Sequence, residues 1–470
     1  TVMSHISRRK VVKGVAWATP VIAASSVVPA FASSMECSFP ATPYTDLTPL
    51  NPSRKSEESF IIPDNVQKMR FELTGGSGGG YSANHPGGSG AKVTGVIDVK
   101  AGQVVKIVAA GGGIRGSIFG KETEASGSES CPGGTGYGDG GSVPELKIPD
   151  MDIASEVSRH WIYSFGNVPT YSSYILQGCS GGGSSALLLD GEVIAIAGGG
   201  GGAAMGISFS TKPNTEHFPG VVDASLTGPS HPTHPPIHSA AGDAHGLYGN
   251  DATDSYEYYA YDVKTHLVVE GGRGGGRGIG GNGGTKPNVP TGNHARILSF
   301  DSQNNQVLYS SSSVGNAGGS GFAGNGGDGV SSWSYQMDDN SSHIRDDLEP
   351  LEVLEFPDGT RTEIIYREIA PIFNGYQLIV SGGGGAGYGG GGSGAVRSLS
   401  AITTVQKWNN NPKGIRQSIS HVQQAGAGGA GGSYIAPSVM EGEISSADNT
   451  HTGSWVPRDG SVTVYFCELA

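Results

Sequence analysis

The chain has 470 residues, a formal net charge of −13, 36% hydrophobic residues and 80 glycines. Glycine stands at more than twice its usual share of roughly 7%, yet no G-X-Y period is sustained, which excludes a collagen triple helix. No apolar run reaches the 18 or more residues of a membrane helix, and the acidic balance disfavours nucleic acid and anionic lipid as partners.

The first segment is an export address. Ser7-Arg8-Arg9-Lys10-Val11-Val12-Lys13 is basic, Gly14 to Val28 is mildly apolar, and Ala30-Phe31-Ala32 is a small-x-small cleavage triplet. The order resembles a twin-arginine signal peptide of high-GC Gram-positive bacteria. Val11-Val12 stands where Phe-Leu is usual, which keeps Sec export as the variant. Residues 1–32 are therefore read as a signal peptide and 33–470 as one mature domain. Cleavage removes four basic and no acidic residues and moves the net charge from −13 to −17. At the other end, Cys467-Glu468-Leu469-Ala470 carries no hydrophobic tail or sorting motif, so attachment to a surface is expected to be non-covalent.

Five apolar runs then end directly in glycine. Met69–Thr74 enters Gly75–Gly80, Val104–Ala110 enters Gly111–Gly113, and Val193–Ala197 enters Gly198–Gly202. His266–Glu270 enters Gly271–Gly276, and Gln377–Ser381 enters Gly382–Gly385, with Gly389–Gly392 after Tyr388. These runs are short, rich in Val and Ile and partly alternating, which predicts strands. Further strands are expected at Ala91–Val99, Ser184–Leu189 and Ser461–Phe466, with a hairpin turn at Asp190-Gly191. The one helix candidate is Ile153–Trp161, where Ile153, Val157 and Trp161 recur every four residues. The fold class is all-β.

The glycine tracts admit two readings. Flexible linkers would carry a high ordering entropy, but linkers join domains, and these tracts interrupt one domain repeatedly. The alternative is a set of polyglycine II helices, which have three residues per turn and no internal hydrogen bonds. Such helices satisfy one another laterally only where no Cβ holds the backbones apart. The second reading predicts that residues 198–202 and 382–392 lie side by side.

Cys37, Cys131, Cys179 and Cys467 remain after cleavage. An even count in an exported protein reads as two disulfides. Of the three connectivities, Cys37 with Cys467 is favoured because domain termini lie close together, and Cys131 with Cys179 because both adjoin glycine tracts.

Ser59-Phe60-Ile61-Ile62-Pro63, the run Gly90–Val104 with Gly111–Gly113, Ser180–Ala186 and Ile194–Gly198 together resemble the glycine-rich domain family. That family occurs in bacterial surface and phage tail-fibre proteins and in the extracellular part of the anaplastic lymphoma and leukocyte tyrosine kinase receptors. The resemblance covers about residues 59–205 and 376–470. It implies a jelly-roll-like β-sandwich carrying polyglycine II helices, used for adhesion or ligand contact. Two long insertions, 203–265 and 286–374, depart from it.

Candidate chemistry is sparse. His231, His234 and His238, with Asp243 and His245 following, have the side chains of a Zn²⁺ or Cu²⁺ site. The intervening prolines forbid a helix, and an exposed polar loop is the favoured account. Asn325-Gly326-Gly327-Asp328-Gly329 is a single copy of a calcium-type turn. Asp338, Asp339, Asp346, Asp347, Glu349, Glu352 and Glu355 read as a solvated acidic face. No nucleophile elbow, zinc-protease motif or glycosidase pair stands out, so no catalytic residue, cofactor or metal ligand is assigned and the chain is not expected to be an enzyme. Tyr248, Tyr256, Tyr258, Tyr259 and Tyr261, among Ser, Gly and Asn, have the composition of a recognition loop; covering the sandwich edge is the equal alternative. The expected function is a secreted, non-catalytic structural or adhesive protein of the cell surface. Its partner would be a protein or glycan of the envelope, with self-association allowed. A secreted carbohydrate- or metal-binding module is the alternative.

Overall fold

This computed structural model describes residues 38–116, 118–119, 130–145, 174–205, 207–211, 222–225, 241–253, 258–260, 263–265, 269–285, 297–300, 306–308, 312–336, 350–355, 361–365, 375–407 and 415–468. The described residues, from Ser38 onward, belong to one compact unit. No helix occurs among the described residues, and the fold is all-β. The helix candidate Ile153–Trp161 lies outside them.

Ten strands make two antiparallel sheets. They are β1 (Thr45–Leu47), β2 (Ser56–Ile61), β3 (Val66–Thr74), β4 (Ala91–Asp98) and β5 (Val104–Ala109). These are followed by β6 (Ser185–Leu189), β7 (Glu192–Ala197), β8 (Tyr434–Ile435), β9 (Met440–Ser446) and β10 (Ser461–Glu468). The orders are β1-β10-β3-β4-β9 and β2-β5-β6-β7-β8. Alternation sets the faces: in β3, Met69, Phe71 and Leu73 are buried while Arg70 and Glu72 point the other way. The inward residues of both sheets join one apolar cluster that includes Phe71, Val93, Val464, Ile107, Leu187 and Ala195. Asp190 and Gly191 close the β6–β7 hairpin, both at positive φ (52° and 86°), as a type I′ turn requires.

Further strands lie both inside the expected loop insertions and outside them. One sheet orders Val222–Ser225, Ile207–Thr211, Ile415–Ala425, Val396–Lys407, Arg361–Ile365 and Pro350–Glu355. In another, Gly375–Val380 pairs in parallel with Tyr174–Leu176. Of the strand expected at His266–Glu270, the described part is not one: Val269 makes an isolated bridge and Glu270 none.

The glycine tracts pack side by side. Gly199 N–H donates to Ala386 O (2.7 Å) and Gly202 N–H to Gly383 O (2.8 Å), so residues 198–202 and 382–392 are neighbours. The contacts repeat every third residue. Gly382 and Gly385 donate to Gly426 and Gly429; Gly383 and Ala386 to Cys179 and Gly182; Gly384 and Gly387 to Gly327 and Gly324. The same tract accepts from Gly199 and Gly202, from Gly141, and from Gly391 and Gly394. It therefore has six neighbouring segments, and each N–H looks outward to one of them. A Cβ on Gly384 would lie 2.0 Å from Gly391 O, so this packing admits no side chain at that position. Gly242, Gly249, Gly315, Gly318 and Gly327 take part in the same hydrogen bonding. The segments read as insertions thus supply part of the glycine assembly.

Candidate functional site

Four turns of the glycine segments meet beside the outer face of β6 and β7. Tyr248 pairs with Gly276, Gly276 with Ile279, Gly278 N–H donates to Tyr388 O, and Gly321 N–H donates to Gly278 O. The side chains there are aromatic or apolar. Phe322 stacks on Tyr388 at 4.7 Å between centroids, and Tyr434 sits edge-on to both at 5.0 Å. Tyr388 and Tyr434 rest on buried Ala186, Leu188 and Ile196. The outer layer is exposed: Leu247 44%, Tyr248 55%, Ile279 68% and Phe322 39%. Arg277, at φ 50°, holds its guanidinium over the Tyr248 ring at 5.2 Å. Together these form a platform of packed rings and apolar side chains with Arg277 at its margin. It has the composition of a docking surface, since solitary exposed apolar residues are ordinary but contiguous ones mark interaction sites.

Of the sequence-predicted recognition tyrosines, Tyr248 belongs to this platform. Tyr258 and Tyr259 lie in the hairpin Tyr258–Ala260/Val263–Thr265, and Tyr256 and Tyr261 lie outside the described residues. Phe322, Ile279, Tyr388 and Tyr434 carry no sequence signal, because isolated apolar residues between glycines have no period.

The expected Cys131–Cys179 disulfide is not formed; both are free, buried thiols. One peptide unit separates them. Cys131 Sγ donates to Arg115 O (3.6 Å), while Gly116 N–H donates to Cys179 Sγ (3.2 Å). In a trans peptide those two groups point to opposite edges. Burial pushes the Cys131 thiol up to about 11 and the Cys179 thiol up to about 12. Tyr81, whose hydroxyl donates to Gln177 O, is likewise held well above its ordinary value, chiefly by burial. The thiolate is the reactive form, so Ellman's reagent at pH 8 is expected to leave both cysteines unmodified in the native protein. Both should react after unfolding. Rapid native labelling would contradict the burial. Cys467 is buried, and its expected partner Cys37 lies outside the described residues.

The other candidates have structural uses where they are described. Asp328 Oδ1 accepts from Ser142 N–H (2.7 Å) and Asn325 Oδ1 from Asp139 N–H (2.9 Å), so one side-chain oxygen of each ties the calcium-type turn to neighbouring backbone. Asp243 Oδ1 accepts from Ser89 N–H (2.7 Å), and His245 Nδ1 lies 3.3 Å from Asn250 Nδ2. His231, His234, His238 and most of the acidic run lie outside the described residues. Among the described residues no three His, Cys, Asp or Glu side chains converge as a metal site would require. No helix there is long and apolar enough to cross a membrane.

Two buried histidines serve the tract that ends at Gly80. His451, 1% exposed, accepts Gly80 N–H on Nδ1 at 2.8 Å and Gly87 N–H on its carbonyl. Burial holds its pKa below 6.5, and Arg458 adds to the depression; burial does the same at His85. Folding thus disfavours the protonated imidazoles. Their contribution is complete above pH about 6.5 and falls as pH drops below it, by ~1.4 kcal/mol per unit of depression. Asp459, raised from its ordinary value by burial, runs the opposite way. The urea midpoint should therefore fall between pH 7.5 and 5.5, and a His451→Asn variant should show a flatter profile. A midpoint constant across that interval would exclude the effect.

No protein-family model matches this chain, and neither does any curated protein.

Proposed function

We propose that this is an exported, non-catalytic structural or adhesive protein of the bacterial cell surface, built on the pattern of the glycine-rich domain family. In this reading the two sheets form a jelly-roll-like β-sandwich, and the glycine segments are polyglycine II helices. The contact period of three and the six neighbours of residues 382–387 support that assignment, because that helix has three residues per turn and bonds only laterally. Residues 1–32 are the twin-arginine signal, and Cys37 pairs with Cys467. The observation that carries the adhesive role is the exposed platform of Leu247, Tyr248, Ile279 and Phe322 on backbone that side-by-side glycine holds rigid. A rigid aromatic surface contributes contact area with little ordering entropy.

The purified mature chain is expected to sediment with Gram-positive cell envelopes. A Phe322→Ser/Ile279→Ser double variant should lose about tenfold in that retention while melting within a few degrees of the parent. Equal retention of parent and variant would remove the platform from the contact. Absence of retention by the parent would remove the adhesive role.

A further inference from the structure

A second surface site lies on the outward face of the β1-β10-β3-β4-β9 sheet, formed by other strands than the aromatic platform. It is a concavity of about 360 Å³ whose lining includes Arg70, Glu72, Thr94, Val96, Glu441 and Tyr465. Strand register builds it. Arg70 in β3 stands opposite Tyr465 in β10 and Val96 in β4, and Glu72 stands opposite Thr94.

Two features separate this hollow from an ordinary solvated sheet face. The Arg70 guanidinium lies 4.2 Å from the Tyr465 ring centroid and 5.1 Å from that of Phe39, yet it donates to no acceptor among the described residues. Ring contact fixes the plane of a guanidinium and leaves its N–H fork unspent, ready for a carboxylate in two parallel hydrogen bonds. The second feature is Glu441, which takes φ 53° in the bulge between Met440 and Glu443. Glycine or asparagine occupies that conformation more cheaply, so a glutamate held there places a carboxylate at the rim at a cost in strain. Glu72 is neutralised by Lys92 at 2.7 Å, which leaves Arg70 as the anion-binding group.

We propose that this concavity binds the carboxylate-bearing sugar of an acidic glycan, a hexuronate. Arg70 takes the carboxylate in its fork. Glu441, Glu72 and Thr94 accept hydrogen bonds from ring hydroxyls, and Val96 and Tyr465 lie under the ring. A peptide carboxylate would meet the same fork, but its N–H donors lie along an extended backbone and not around a ring on Val96 and Tyr465, which is why a peptide is a separate arm of the test.

Calorimetric titration of the full mature chain with D-glucuronate and D-galacturonate tests the site, with D-glucose, acetate and a short peptide bearing a free C-terminus as parallel arms. A uronate should bind, and glucose should not. Arg70→Gln should weaken uronate binding roughly 10- to 100-fold, the worth of a charge-assisted pair. Arg70→Lys should recover only part of it, because the fork is lost while the charge is kept. Glu441→Gly should weaken binding while leaving the melting temperature equal or higher, a combination that a purely structural glutamate would not produce. Phe322→Ser should leave uronate affinity unchanged, which separates this site from the adhesive platform. The proposal is overturned if neither uronate binds the parent, if Arg70→Gln binds as well as the parent, or if acetate or the peptide binds as tightly as the uronates.

Discussion

Gly200→Val is expected to abolish the native fold, lowering stability by more than ~4 kcal/mol, the range reserved for severe single substitutions. A Cβ at residue 200 would lie 2.0 Å from Gly88 O and 2.4 Å from Gly88 C. Overpacking in a side-chain core costs about 1–3 kcal/mol because neighbours change rotamer. Here the neighbour is backbone, and it has no rotamer to change. The backbone of residue 200 is itself pinned, donating to Gly76 O at 3.0 Å and accepting from Gly182 N–H at 2.9 Å. Moving it to relieve the overlap would break bonds to two other segments, and those segments are bonded onward. The informative control is Gly102→Ala. Gly102 has φ 82° and nothing within 4 Å of its ideal Cβ, so only the left-handed conformation is penalised, by about 1 kcal/mol. Thermal melts of the two variants against the parent should thus differ strongly. An unchanged melting temperature for Gly200→Val would mean that the side-by-side glycine arrangement is not what the chain adopts in solution.

The strands were readable because their signals are local. β-branched content and alternation place β3, β4, β5, β7 and β10 within a few residues, and Asp190-Gly191 marks its own turn. That glycine tracts would associate followed from steric reasoning about the missing Cβ. Beyond the expected pairing of 198–202 with 382–392, which segment meets which did not follow, because glycines such as Gly327 and Gly429 carry no side chain to encode a partner. Register is inherited from the strands that deliver them. For the same reason residues 241–250 and 313–330 passed as insertions: their glycines are interspersed with Asn, Ala and Asp, and membership of the assembly depends on three-residue spacing of backbone contacts. The Cys131–Cys179 pairing failed on a distinction that proximity in composition cannot supply, the Arg115–Gly116 peptide standing between the two sulfurs. Arg70 was invisible for a simpler reason. On a strand it reads as one more outward polar residue, and only the Tyr465 and Phe39 rings distinguish it.

Phe71→Ala should destabilise by about 3–5 kcal/mol, the usual cost of emptying a buried phenylalanine site, and the loss should appear throughout the protein. Phe71 is completely buried and is among the largest fully enclosed side chains. Its ring also lies 2.9 Å from where a Gly95 Cβ would be, so the β4 residue paired with it has no side chain to fill the space. The wider consequence comes from what the glycine segments lack. They fix the residue type with the greatest backbone freedom to lose, and each hydrogen bond returns only about 1 kcal/mol net. They contribute few apolar side chains; Ala244 and Ala430 are members that do reach the cluster around Phe71. The burial that drives folding therefore comes chiefly from the two sheets, and the glycine assembly is stable only while β3, β5 and β7 hold its segments in register. Amide exchange measured by mass spectrometry tests this coupling. In Phe71→Ala, protection of Gly198–Gly202 should fall by the same factor as protection of β3 and β7. If the glycine segments keep parental protection while the strands lose theirs, the two parts fold independently and the dependence argued here is wrong.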